Sequence, residues 1–492
     1  MNNTTTGQKA QEEMIKGIKV ATQAIRPTYG HNGINAVIED IRYPFHQVAN
    51  DAQTIIQAIK ITDPIQNQGL SFLKELSDRQ NSMSGDGRKT TCIIAETILD
   101  EGFKSELKGL NLKRELDSLI PFIEAKIDDH KQLIGIDDIH KVATIAGESE
   151  SIGSLIGKIY KEIGKDGVIT VEGSGTYNDE VKYITGVRFT DTGYLADAFV
   201  HDEEAKKQGL PEKRAIYENP TILVTKQKIE RIDQIDPLIQ SLMRDNRKEL
   251  IIFTDDMDTG IAKALVDTHK EGIFNILIIK APTIFRKEVF EDFAMITSAK
   301  IVEPANGIYL EELPLNALGT CDKIIVDKSE TLIIGIDEDG IKEHLDNLKA
   351  NNDELSNMRL KWLNTATAIL KLGANNESEL SYKRLKCEDA VNASRLALEG
   401  GVSKGGGIEL YNISKELPKT IAGDILSKAL QAPLFQIMAN GGETAIPTFN
   451  ENILDASLVL KNAVRNAISL TSTILTTGIV ITLPREDKEL KI

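Results

Sequence analysis

Three aspartates remote from one another in the chain have the residue type and setting for phosphate chemistry. Asp86 lies in G-D-G-R-K-T-T, Asp51 in A-N-D-A-Q-T, and Asp389 in C-E-D-A, which precedes a K-G-G-G turn at 404–407. Glycine lets backbone N–H groups approach a phosphate, and carboxylates hold the magnesium that a phosphate carries. G-D-G-R-K-T-T is not a Walker A loop, because its glycines are too close together. At a helix start, however, its exposed N–H groups and the positive dipole end form an anion site. Taken singly these features are ordinary: a glycine turn into a helix, a helix stop at T-Y-G-H-N-G (28–33), and aspartates that cap helices. Their set and order carry the reading of a nucleotide site assembled from both ends of the chain.

The elements that must position them fall in three blocks. Met14, Ile18, Ala21 and Ile25 share one helical face, and Pro27 and Gly30 end that helix. A second helix begins after Gly87, with Ile94 and Ile98 on one face, and helices continue to about His130. The last block is again helical, with Leu460, Val464 and Ile468 aligned, and runs into a strand at I-V-I-T-L (479–483). Between them, T-I-L-V-T (221–225), L-I-I-F-T (250–254), I-L-I-I-K (276–280), K-I-I-V-D (323–327) and T-L-I-I-G (331–335) alternate with helical stretches, as in an α/β domain. A long helical tract from Ile341 to about Leu372 closes this middle part. The pattern is a helical domain interrupted by an inserted α/β domain, with Gly186 and Gly373 as hinges or plain element ends.

Composition narrows the classes. With 41% hydrophobic and 27% charged residues the chain is an ordinary globular protein, and its net charge of −16 argues against non-specific nucleic-acid binding. Cys92, Cys321 and Cys387 are few and far apart, which fits a reducing cytoplasm and no disulfide framework. No signal peptide or membrane span is expected, since the longest apolar stretch is short of the ~20 residues a span needs.

The motifs, with K-D-G-V-I-T-V-E (165–172), C-E-D-A-V-N-A-S-R (387–395), G-V-S-K-G-G-G-I (401–408), A-L-Q-A-P-L (429–434) and N-I-L-D (452–455), follow one order, and in that order the chain resembles the group I chaperonins over nearly its whole length. The resemblance implies an equatorial ATPase domain from both chain ends (1–130 and 401–492), a small intermediate domain (131–185 and 374–400) and an inserted apical α/β domain (186–373). It implies that Thr28, Tyr29, Gly30, Gly87 and Thr90 meet the phosphates, that Asp86 binds Mg2+, that Gly406 and Asp455 meet the nucleoside, and that Asp389, with Asp51 nearby, positions the attacking water; Arg88 and Lys89, between them in sequence, are further candidates for the phosphates. ATP, Mg2+ and, as a further candidate, K+ are the implied cofactors. Tyr194, Phe199, Ile239, Ile261, Leu265 and Val266 match a groove for non-native polypeptide. A cytoplasmic homo-oligomeric ring, heptameric by resemblance, and a co-chaperonin lid are the implied assembly. A chaperonin-derived holdase or scaffold without productive turnover is the alternative.

The chain departs from that pattern in several places. Arg88 and Lys89 replace threonines, and either face phosphate or form a solvent-exposed pair. Ala198 and Asp236 replace bulky apolar groove positions. His201–Arg214 reads as a charged insertion, K-A-P-T-I-F-R (280–286) lacks a G-F-G turn, and E-D-K-E-L-K-I replaces a glycine-methionine tail. Only residues 443–454 join Gly442 to Asp455, where the family carries a longer excursion that covers the base and contacts a second ring. A single ring or altered ring pairing is the expectation drawn from that loss.

Overall fold

The structure is a computed structural model that describes residues 3–39, 47–174, 176–200, 214–335, 338–351, 354–363, 365–448 and 450–482. The charged insertion, apart from Arg214, and the tail at 486–492 lie outside these residues. The chain divides into two compact units, one of residues Met1–Lys165 with Ala374–Ile492 and the other of residues Asp166–Gly373.

The discontinuous unit is helical. Helix Gln8–Ile25 buries Met14, Ile18, Ala21 and Ile25, the stripe that the 3.6-residue period demands. It packs on helix Pro64–Ser84 backbone to backbone: a Cβ on Gly17 would lie 1.8 Å from the Gln66 carbonyl oxygen, and one on Gly69 would lie 1.9 Å from that of Met14. Helices Arg88–Lys104, Gly109–His130, Ile421–Gly441 and Ser457–Thr476 complete one core, in which Ile94, Ile98, Val464 and Ile468 are fully enclosed. Each such side chain contributes roughly 1.5–3 kcal/mol of burial free energy. One small ribbon joins the chain ends and a second lies within the C-terminal part. Strand Asn3–Thr6 pairs antiparallel with Ile479–Thr482, and Val402–Lys404 with Leu454–Ala456.

The second unit carries two sheets. Thr221–Thr225, Glu249–Thr254 and Asn275–Lys280 run parallel, buried nearly end to end as parallel strands are when helices cover them. Phe253 stacks on Phe293 at 4.1 Å between ring centroids and 8° between planes, and it anchors the core beneath helix Arg286–Thr297. The residue before that helix, Phe285, holds φ at +54° where the family turn would offer glycine.

The other sheet corrects the sequence reading. The helical tract expected to reach Leu372 stops at Leu363, and Thr365–Leu372 is a strand. It lies between Val168–Gly173, to which it is parallel, and Glu180–Thr190, to which it is antiparallel. Hydrogen bonding on both edges, with β-branched Thr367 and Ile369, overrides the helical preference of its Ala, Leu and Lys. Gly186 is where the long strand Glu180–Thr190 changes partners: residues 180–186 pair with Thr365–Lys371, and residues 186–190 pair with Glu330–Ile334. A Cβ there would stand 2.8 Å from Thr367 Oγ1. Gly373, the last residue of this unit, closes against Asp179, whose carboxylate accepts its N–H at 2.9 Å.

Candidate functional site

Every glycine turn singled out in the sequence ends at one cavity of about 940 Å³ in the discontinuous unit. Helix Pro64–Ser84 stops at Gly85 (φ +65°), and helix Arg88–Lys104 starts after Gly87 (φ +81°), so two left-handed residues fold the chain sharply around Asp86. Gln80 fastens the bend. Its amide donates to the Asp86 carbonyl at 2.9 Å, and its own oxygen accepts from buried Asn466 at 2.9 Å. Burial raises the Asp86 pKa, against the Gly87 N–H and the neighbouring Arg88, Lys386 and Lys89 charges. Such a carboxylate suits a cation that arrives with further oxygen ligands. Among the described residues no three His, Cys, Asp or Glu side chains form a metal cage, so a hard ion here would need phosphate oxygens or water as well.

Asp51 performs two tasks. One carboxylate oxygen caps helix Ala52–Ala58 by accepting the Thr54 N–H at 2.9 Å, and the other meets Arg88 Nη1 at 2.9 Å. Its carboxylate therefore both caps a helix and faces the cavity. Arg88 is neither exposed nor free: its side chain is 6% accessible, it donates to Gln53 Oε1 at 2.9 Å, and its Nη2 stands 3.4 Å from Asp389 Oδ1. One guanidinium thus bridges two carboxylates contributed by helices far apart in the chain. Burial pushes the Asp389 carboxyl up to about 7. Arg88 opposes this, while Asp86 and Asp51 add to it. A carboxylate so placed can accept hydrogen bonds from a water molecule and aim it.

Lys89 also turns inward, and donates to the Thr28 carbonyl at 2.8 Å. Tyr29 and Gly30 line the cavity, with the Tyr29 hydroxyl 2.8 Å from Thr90 Oγ1 and its carbonyl held by Asn440 Nδ2 at 2.8 Å. Thr28 does not line it; its hydroxyl turns back to the Ile25 carbonyl and closes the helix end. At the far wall the ribbon Val402–Lys404 with Leu454–Ala456 sets Asp455 beside the glycine turn, where burial and then Asp86 push its carboxyl up to about 7 against a Gly406 N–H. The short connection at 443–454 still forms wall, through Glu443, Pro447, Thr448, Asn450 and Ile453.

Sequence reasoning missed Glu148, Lys386 and Asn50, which also face the cavity. Lys386 is three residues before Asp389 on helix Glu377–Gly400, hence on the same face, and that spacing was the available signal. Glu148 and Asn50 carried no such signal.

The candidate groove residues lie in the other unit. Tyr194, Ile239, Ile261 and Val266 are partly buried against its core, whereas Phe199 and Leu265 belong to the core itself, at 0% and 1% exposure. Those two support the surface from beneath and do not line it. Helical spacing identifies a shared face and says nothing of depth.

The model of the TCP-1/cpn60 chaperonin family matches residues 21–450, and the chain belongs to this family. Among solved structures, it is similar to the chaperonin gp146 from the bacteriophage EL 2 (Pseudomonas aeruginosa), crystallised in presence of ATP-BeFx. Crystal form II aligns with TM-score 0.70 at 16% identity over 98% of this chain and 99% of that one. Crystal form I aligns with TM-score 0.63 at 17% identity over the same shares. At these identities the likeness is one of fold, and it spans both units.

Proposed function

We propose that this chaperonin chain binds Mg–ATP in the Asp51–Asp86–Asp389–Asp455 cavity and couples its hydrolysis to the handling of non-native polypeptides. The observation that carries the reading is the convergence of four carboxylates, from segments near 51, 86, 389 and 455, on one cavity that also holds a helix N-terminus and glycine turns. Asp86 would hold the metal, which neutralises phosphate charge when bound. Gly87, Thr90, Arg88, Lys89, Tyr29 and Gly30 would cradle the phosphates, and Gly406 and Asp455 the nucleoside. Asp389, with Asp51, would orient water for in-line attack, a reaction in which positioning and electrostatics do most of the work.

The wider scheme follows the family. Residues 1–130 with 401–492 would form the ATPase domain, 131–185 with 374–400 an intermediate domain, and 186–373 an apical domain presenting Tyr194, Ile239, Ile261 and Val266 to clients or to a lid. The partner exchange of strand Glu180–Thr190 at Gly186, and the unit boundary at Gly373, support a swivel at these two glycines. Assembly into a homo-oligomeric ring completes the proposal.

Asp389→Ala is expected to keep nucleotide affinity while phosphate release falls at least about a hundredfold, the order contributed by a positioned general base. Unchanged turnover in that variant would remove Asp389 from the role. The second reading, a holdase, draws support from Arg88, which engages both water-orienting carboxylates. Phosphate release from the wild-type chain, measured with and without Mg2+, separates the two.

A further inference from the structure

Three cavity groups that can donate hydrogen bonds converge on the Glu148 side chain. Lys386 Nζ lies 2.7 Å from its Oε1, Lys89 Nζ lies 3.8 Å from the same oxygen, and Asn50 Nδ2 donates to Oε2 at 3.2 Å. The donors come from three separate places: helix Glu377–Gly400, the first turn of helix Arg88–Lys104, and the turn before helix Ala52–Ala58. Lys386 and Asn50 are buried, at 5% and 4% exposure, whereas the Glu148 side chain is 30% exposed and has a path to water. Its backbone is held at φ +50°, a left-handed setting unfavourable for glutamate, in the connection after helix Ile139–Ala146.

Two ammonium groups and an amide gathered on one carboxylate, beside a helix N-terminus, form the donor set that a phosphate group takes. We propose that Glu148 is a resident carboxylate occupying the phosphate subsite of the empty protein, and that Lys386 and Asn50 are further phosphate-binding residues which an entering triphosphate takes over from it. The inference rests on the nucleotide reading of the same cavity and adds to it two ligands and a built-in competitor. The electrostatics agree with the geometry. Burial disfavours the Lys386 charge, yet Glu148 and Asp389 keep its pKa raised. Burial and the neighbouring Lys386 lower that of Lys89, so an anion of higher charge than one carboxylate would relieve both.

The test titrates inorganic tripolyphosphate, and separately ATP, into the full chain in the presence of a chelator and follows the heat of binding. Glu148→Gln is expected to bind both about tenfold more tightly, and Lys386→Met about tenfold more weakly, the order of one charge-assisted hydrogen bond gained or lost. The double variant should bind more tightly than Lys386→Met and more weakly than Glu148→Gln, because Lys89 and Asn50 are still released to the ligand. Glu148→Gly, which also relieves the backbone, should behave as Glu148→Gln does. In the unmutated chain a carbodiimide should join Glu148 to Lys386, and tripolyphosphate should suppress that cross-link; this arm holds even if a variant does not fold. Glu148 variants that bind as the parent or more weakly, or a cross-link indifferent to tripolyphosphate, would overturn the inference while leaving the nucleotide reading intact. A parent chain that binds neither compound in chelator would overturn the inference, and one that also fails to bind ATP once Mg2+ is restored would overturn both.

Discussion

At the scale of single residues the cavity is a balance of buried charge. Arg88 is the pivot, because Asp51 and Asp389 face it from two helices. Arg88→Met would take from Asp51 and Asp389 the guanidinium that both enclosed carboxylates face. A loss of about 3–5 kcal/mol in denaturant unfolding is expected, the range for removing one partner of a buried pair. Asp455 supplies a pH test. Its carboxyl is raised from 3.8 to about 7 by burial and Asp86. Between those values the folded protein keeps a proton that the unfolded chain has released, so stability falls as pH rises through the window, and the full penalty is present above it. Asp455→Asn removes the penalty. In chelator and without nucleotide it is expected to raise the melting temperature by roughly 2–4 °C at pH 8, with the gain fading toward pH 4. The aspartates were legible in the sequence because each stands next to a recognisable turn. Glu148 and Lys386 were not, since a charge on a helix or in a loop looks the same whether it faces water or a cavity.

Elements bring these residues together by close approach. Gly85 ends helix Pro64–Ser84 at φ +65°, and a Cβ there would lie 2.2 Å from Asn392 Nδ2 and 2.6 Å from Asn392 Cβ. Asn392 sits on helix Glu377–Gly400 three residues after Asp389, so Gly85 sets how near the helix carrying Asp389 comes to the Asp86 turn. Gly85→Ala is therefore expected to cost about 1–3 kcal/mol in unfolding measurements and to lower phosphate release as well, from strain and displacement together. Helices with a strong apolar stripe were plain from periodicity, as Met14, Ile18, Ala21 and Ile25 illustrate. Thr365–Leu372 was not, because its strand character comes from neighbours on both edges that lie more than a hundred residues away in the chain. The loss of the family excursion after Gly442 has a structural counterpart in a short connection that still borders the cavity, a fact that length alone does not reveal.

For the whole molecule, the insertion is self-sufficient in its pairing. Both of its sheets and its aromatic core draw every strand and ring from residues 166–373. That segment, expressed alone, is expected to unfold in one cooperative transition by circular dichroism and to resist proteolysis; a molten fragment would show that it depends on the remainder. The helical–α/β–helical order was readable because hydrophobic periodicity changes at both junctions. The division at Gly186, within the sheet that holds Thr365–Leu372, was less so, as only the register shows it.

The discontinuous unit, by contrast, is sewn shut last. Strand Ile479–Thr482 pairs with Asn3–Thr6, and the cavity wall at Asp455 precedes it by only a few turns of helix. During synthesis on the ribosome the inserted body can therefore mature while the cavity still lacks a wall, and a prematurely terminated product lacking the last fifty or so residues would carry a finished α/β body and an unfinished cavity.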